Sequence, residues 1–173
     1  MYRTRNDLPN ELRERMITIL NAHLADLIDL RTQAKVAHWN IRGPQFVALH
    51  DLFEDIAKGF DEYADLVGER ASQLGGIVRG TARQVAAASD LDEYSATGGM
   101  HEHVAAIADA LATVGAAARD LIDKTSKAGD EVTADIFTAV SRGVDKWLWM
   151  VEAHLQEDVV SDAGLGERAV SPS

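Results

Sequence analysis

His38 and His50 stand on either side of Gly43-Pro44 in the stretch AHWNIRGPQFVALH, residues 37–50. Proline disfavours helix at the residue before it and is welcome in a first turn, so one helix ends and another begins between the two imidazoles. A single histidine on an amphipathic helix is more often packed or solvated than a ligand; two beside one turn ask for a third group. Asp65 and Glu69 are the candidates. Four residues apart on one helix, they share a face and can hold one cation between them. Such a pair is ordinarily a solvated acidic face. These two adjoin the apolar Tyr63, Leu66 and Val67, where partial burial would need a partner charge. Mixed imidazole and carboxylate ligands suit iron(II), zinc or manganese, and leave positions open for water or an oxidant.

Helices must position these groups. From Asn10, the residues Leu12, Met16, Leu20, Leu24, Leu27 and Ala34 recur at three- and four-residue steps, forming an apolar stripe that runs to about Asn40. A second stripe, Phe46, Leu49, Phe53, Ile56, Phe60, Tyr63, Val67 and Leu74, stops at Gly75-Gly76. Residues 75–99 are glycine-rich and hydrophilic, a crossing segment with room for one short helix. Periodicity returns from Met100 through Val104, Ile107, Leu111, Val114, Ala118 and Leu121, and fades at KTSKAGD. The fourth stripe begins at Asp130 and carries Val132, Ile136, Val140, Val144, Leu148 and Val151 to about Gln156. The pattern predicts an all-α four-helix bundle with a long crossover between its second and third helices, which then run parallel. The chain divides into a short N-terminal extension (1–9), one helical domain (10–157) and a flexible tail (158–173).

Composition narrows the chemistry. A chain of 173 residues, 46% of them hydrophobic, can build one compact core. No apolar run approaches a membrane span and the N-terminus has no secretory pattern, so a cytoplasmic protein is expected. Without cysteine, metal chemistry must use His, Asp and Glu. A net charge of −11 suits a surface that collects cations better than one that coats phosphates.

The helix rise then decides where a centre can form. From His50 to Asp65 is 15 residues, or ~22 Å along one axis. No single metal can bind both within one chain. If they act together, two copies packed antiparallel about a two-fold axis would bring His38 and His50 of one to Asp65 and Glu69 of the other. The sequence has no Glu-x-x-His spacing, the helix motif of in-bundle di-iron sites, so a centre inside one bundle is not expected.

The segments AHWNIRGPQFVALHDLF and DEYADLVGERASQLGG closely resemble the Dps family, the DNA-binding proteins from starved cells or mini-ferritins, and GDEVTADIFTAVSRGVDKWLWM resembles the family's last helix. The likeness spans nearly the whole helical region and rests on a specific His-x11-His-x14-Asp-x3-Glu spacing. It implies a ferritin-like bundle assembled as a hollow homododecamer that stores iron(III) mineral in the bacterial cytoplasm, at or near the nucleoid. It also implies a ferroxidase, an oxidoreductase that oxidises iron(II) at inter-subunit centres with hydrogen peroxide in preference to oxygen. Two irons would share each centre, with zinc or manganese as alternative metals.

Carried over by residue, the resemblance makes His38 and His50 the histidine ligands, Asp65 and Glu69 the carboxylates from the two-fold mate, and Glu54 an acid near the second iron. Trp39 would lie near the centre, as an electron donor or, in the plainer reading, as a packing or interface residue; Trp147 and Trp149 read as packing residues. Asp130, Glu131 and Asp135 open the fourth helix, where acids are favoured by the exposed amides. The resemblance adds that they surround a three-fold pore that draws iron(II) inward. His101 and His103 read as surface residues, and His23 and His154 as solvated or packed ones. Weak or absent DNA binding is expected, since only Arg3 and Arg5 precede the first helix and the tail holds one arginine against three acids. The competing readings are a nucleoid-compacting DNA-binding protein with a secondary metal site, and a helical scaffold without turnover.

Overall fold

The structure, a computed structural model, describes residues 1–156; the tail expected from residue 158 lies outside them. The described residues form helices α1 (Asn10–Asn40), α2 (Phe46–Gln73), α3 (Ala82–Ala86), α4 (Met100–Ala128) and α5 (Glu131–Glu152), with no strand among them. The short helix α3 sits in the crossover and is closed by a Thr81/Gln84 capping box. Helix α4 ends at Gly129, whose φ of 91° is the left-handed conformation that glycine adopts without steric penalty. One residue later the Asp130 carboxylate accepts from the Thr133 amide and starts α5.

Helix α1 packs along α2, and α4 along α5; the two hairpins join through α1 against α4 and α2 against α5. Direction follows from two contacts. Arg70, near the end of α2, donates through Nη2 to Asp130 at the α4–α5 corner over 2.7 Å. Helices α2 and α4 therefore finish at the same end of the bundle and run parallel, as the crossover requires. At the opposite end His154, just past α5, bonds through Nδ1 to the Gln45 side chain before α2, at 2.7 Å.

The core is the set of apolar stripes, with Met16, Leu20, Leu27, Phe53, Phe60, Ile107, Leu111, Phe137, Val140 and Val144 almost fully enclosed. Helix α5 departs from its expected phase. Val132 is 57% exposed, while Thr133, Ala134 and Phe137 face inward. Both Val132-Ile136 and Thr133-Phe137 lie three or four residues from Val140 in steps, so periodicity alone admits either set. The phase is fixed by Arg70, whose Nε donates to Thr133 Oγ1 at 3.0 Å. Trp147 packs on the core beside Gly59, but Trp149, expected to pack, is exposed. The α2–α5 seam is tight: a Cβ on Gly143 would lie 1.7 Å from the Tyr63 hydroxyl.

Buried histidines complete the interior. His103, expected on the surface, is buried and lies 2.6 Å through Nδ1 from the Tyr94 hydroxyl. Burial pushes Tyr94 up to about 12 and His103 down, so the phenol donates to a neutral imidazole. His103 escapes the surface because the crossover folds over it: Asp26 accepts from the Asp90 amide and Gln33 donates to the Asp92 carbonyl. His23 is packed edge-on against Phe137 at 5.4 Å. The N-terminal extension lies against the end of α2, where the Tyr2 amide donates to the Gly75 carbonyl and Arg13 reaches the Leu8 and Leu74 carbonyls.

Arg70 and Asp130 are the buried charges on which the corner depends. Removing one partner leaves the other charge enclosed and unpaired, so Arg70→Ala should lower unfolding free energy by about 3–5 kcal/mol. Urea denaturation followed by far-UV circular dichroism measures it; a loss below about 1 kcal/mol, the range of a surface pair, would show that the pair does not hold the corner.

Candidate metal centre

The end of α1 and the start of α2 hold His38 and His50 face to face. Their rings stack with centroids 3.7 Å apart and planes 25° apart. Each Nδ1 meets the other residue's backbone carbonyl: His38 Nδ1 lies 2.8 Å from the His50 oxygen, and His50 Nδ1 lies 2.9 Å from the His38 oxygen. A carbonyl oxygen only accepts, so both Nδ1 atoms carry the proton. Both Nε2 lone pairs are thereby left free, in the tautomer and orientation a metal ligand requires. The lock is built by the Gly43-Pro44 turn, which brings the last turn of α1 alongside the first turn of α2.

Glu54, one turn after His50, faces the same space. Its Oε2 lies 3.7 Å from His38 Nε2, it pairs with Lys35, and Lys58 Nζ approaches its Oε1 at 3.5 Å. The Lys35 hydrogen bond, reinforced by the charges of Lys35, Lys58 and His38, holds this carboxyl below its usual range against a smaller desolvation effect. A cation arriving at His38 and His50 therefore meets an acid already neutralised by lysine. The lysines carry a signal legible in retrospect: Lys35 precedes His38 by three residues and Lys58 follows Glu54 by four, both same-face spacings on a helix.

Asp65 and Glu69 lie further along α2, on a different part of the surface. Both are exposed rather than partly buried, and they line an open hollow of about 850 Å³ with Leu24, Ile28, Gly68 and Val78. The shielding expected from Tyr63 and Leu66 does not occur: Tyr63 turns toward Gly143 on α5, and Leu66 is itself exposed. Because α2 is one unbroken helix, the 15-residue separation from His50 stands at ~22 Å. Among the described residues no three His, Asp or Glu side chains converge as a metal site within the chain.

The remaining candidates divide. Trp39 is 66% exposed, with the Lys35 ammonium 5.7 Å over its ring. Glu131 and Asp135 are exposed at the start of α5, and Glu131 accepts from the Ser126 hydroxyl at 2.9 Å. Asp130 does not join them. It is buried, committed to Arg70 and to the Thr133 amide and hydroxyl, and is not a free carboxylate for passing cations. The helix-start position common to all three acids hid this difference, which arises from Arg70 sixty residues earlier.

Four long helices in two hairpins, with α2 and α4 parallel across a long connection, define a ferritin-like domain, and the family model of that description matches residues 17–159. The DNA protection during starvation protein of Agrobacterium fabrum is 42% identical over 90% of this chain and 97% of its own length. Its namesake from Brevibacillus brevis is 32% identical over 86% of this chain and all of its own. Among solved structures, Mycobacterium smegmatis Dps superposes with a TM-score of 0.87 at 28% identity, covering 92% of this chain and 91% of that one. The chain belongs to the Dps family.

The lysine contacts give Glu54 a measurable signature in the metal-free protein. A depressed folded-state value means that its contribution to stability is fully present above the ordinary carboxyl value and is lost as pH falls through the lowered folded one. In carboxyl-carbon NMR titration Glu54 should therefore titrate below its model value of 4.5. Lys35→Met should move that midpoint upward, because its largest cause is removed; an unmoved midpoint would show that Lys35 does not hold the acid.

Proposed function

We propose that the chain is the subunit of a mini-ferritin, which oxidises iron(II) at centres shared between two-fold-related copies and stores the iron(III) product inside a hollow dodecamer. The reciprocal histidine lock carries this reading. It prepares two Nε2 donors and no complete ligand set, while Asp65 and Glu69 wait exposed on another part of the same helix. A two-fold operation that brings one half to the other completes two identical centres at once.

In such a centre His38 and His50 bind iron(II) through Nε2, and Asp65 and Glu69 of the second copy supply the hard oxygen donors that favour iron(III). Glu54 holds the second iron(II) once Lys35 withdraws. Two iron(II) ions give two electrons to hydrogen peroxide, which with two protons leaves two iron(III) and two water molecules. Transfer of both electrons at one place avoids the one-electron route to hydroxyl radical, so peroxide is the preferred oxidant over oxygen. Glu131 and Asp135, open at the α5 start, form the acidic ring through which iron(II) passes inward. Zinc or manganese fits the same donors. The work belongs in the bacterial cytoplasm; no helix among the described residues is long and apolar enough to cross a membrane.

DNA compaction is the second reading, and the names of the relatives carry it. Against it stands the extension, held to the body through Tyr2 and Gly75, so that Arg3 and Arg5 lie on the surface instead of on a free arm. Little retardation of duplex DNA is expected at physiological salt, and none as salt rises, because few cations are available to release counterions. Tight, salt-resistant retardation would favour compaction.

The shared centre is tested by mixing defects. His50→Ala and Asp65→Asn assemblies should each oxidise iron slowly, every centre having lost a ligand. When the two variants are unfolded, mixed equally and reassembled, half the two-fold pairs are mixed and each mixed pair holds one whole centre. About a quarter of centres should then be intact, and rapid formation of the ferric absorbance should return in that proportion, with wild type treated identically as reference. A centre within one chain gives no recovery.

A further inference from the structure

Gly68 is buried in the middle of α2, between Asp65 and Glu69, at the floor of the hollow those acids line. Glycine weakens a helix interior, so its place there calls for a cause. Its own chain supplies none. A Cβ would meet Val78 Cγ1 at 3.6 Å and Leu24 Cδ2 at 3.8 Å, ordinary contacts, whereas at Gly143 the Tyr63 ring forbids any side chain. The space above Gly68 is therefore kept open for something outside the chain.

The matching feature is Trp39. It follows His38 on the last turn of α1 and stands 66% exposed, an indole with little of its own chain to pack on. We propose that Trp39 of a second copy seats in the hollow over Gly68 and anchors the two-fold contact. The inference rests on the shared-centre reading and adds the residue that holds that interface together. Adjacency supports it: Trp39 neighbours His38 and Gly68 neighbours Glu69, so one rotation bringing His38 to Glu69 of a second copy brings Trp39 to its Gly68. Charge supports it as well. The Trp39 side presents Lys35, Arg42 and Lys58, while the hollow's rim presents Asp61, Asp65 and Glu69. Leu24, Ile28, Ala64 and Val78 give the indole an apolar lining, and it excludes water from the ligands beside it.

A size exchange tests the contact with every metal ligand in place. Full-length wild type, Trp39→Ala, Gly68→Leu and the double variant are compared by sedimentation velocity and by anaerobic cobalt(II) titration, read from visible absorption. Far-UV circular dichroism checks helix content, which neither change should lower, since Trp39 is exposed in its own chain and leucine is the better helix former. Trp39→Ala leaves the hollow empty and Gly68→Leu blocks it, so each should shift micromolar protein to smaller species and weaken cobalt binding by about tenfold or more. The double variant should regain assembly and cobalt binding together, as the leucine fills the volume the indole leaves. Trp39→Ala with wild-type assembly and affinity, or a double variant no better than the worse single one, would overturn the seating of Trp39 on Gly68. Cobalt affinity in wild type that does not change on dilution to the single chain would instead overturn the shared centre itself.

Discussion

One straight helix sets the terms for everything else. Helix α2 carries histidine near its first turn and two carboxylates near its last, and a helix neither bends nor shortens enough to bring them together. The chain thus holds two halves of a metal site that cannot meet in one copy. Chemistry becomes a property of the pair, and the surfaces around each half become as important as the ligands. This explains why Asp65 and Glu69 are exposed in a single chain, where buried and unpartnered carboxylates would be costly.

The two halves are prepared differently. Both histidines are fixed before any metal arrives, each imidazole spending its Nδ1 proton on the other's backbone. Neither ring can turn without losing a hydrogen bond, so the Nε2 atoms need little reorganisation on binding. The acids are held only by the helix, and their geometry is completed by whatever docks against them. Glu54 is intermediate, satisfied by Lys35 until a stronger cation displaces it. Behind both halves, the Arg70–Asp130–Thr133 network ties the last turns of α2 to the α4–α5 corner and keeps the carboxylate face in register with the bundle.

Much of this was legible in the sequence because helices convert spacing into geometry. The four stripes, the crossover with its short helix, and the impossibility of an in-chain centre all follow from counting residues. What spacing did not reveal was the identity of long-range partners. Asp130 resembled Glu131 and Asp135 as an acid at a helix start, and only Arg70 distinguishes it. His103 resembled His101 until the crossover placed Tyr94 over it. The phase of α5 was ambiguous at its first turn because two apolar sets differed by one residue. Trp149 resembled Trp147, yet only one of them meets Gly59.

A divided centre has a consequence for reactivity. A chain newly made and still alone has two imidazoles at one place and two carboxylates at another, so it lacks the mixed donor set that would bind iron(II) and support its oxidation. Activity then begins only when copies pair, and pairing is the step that also begins to enclose the product. Linking the ligand set to the contact keeps ferric mineral from forming on unassembled chains, whose exposed apolar residues are those least suited to meet a growing precipitate. The same linkage runs in reverse: a metal bound by both copies has no equal site on either alone, so its binding energy stabilises the pair.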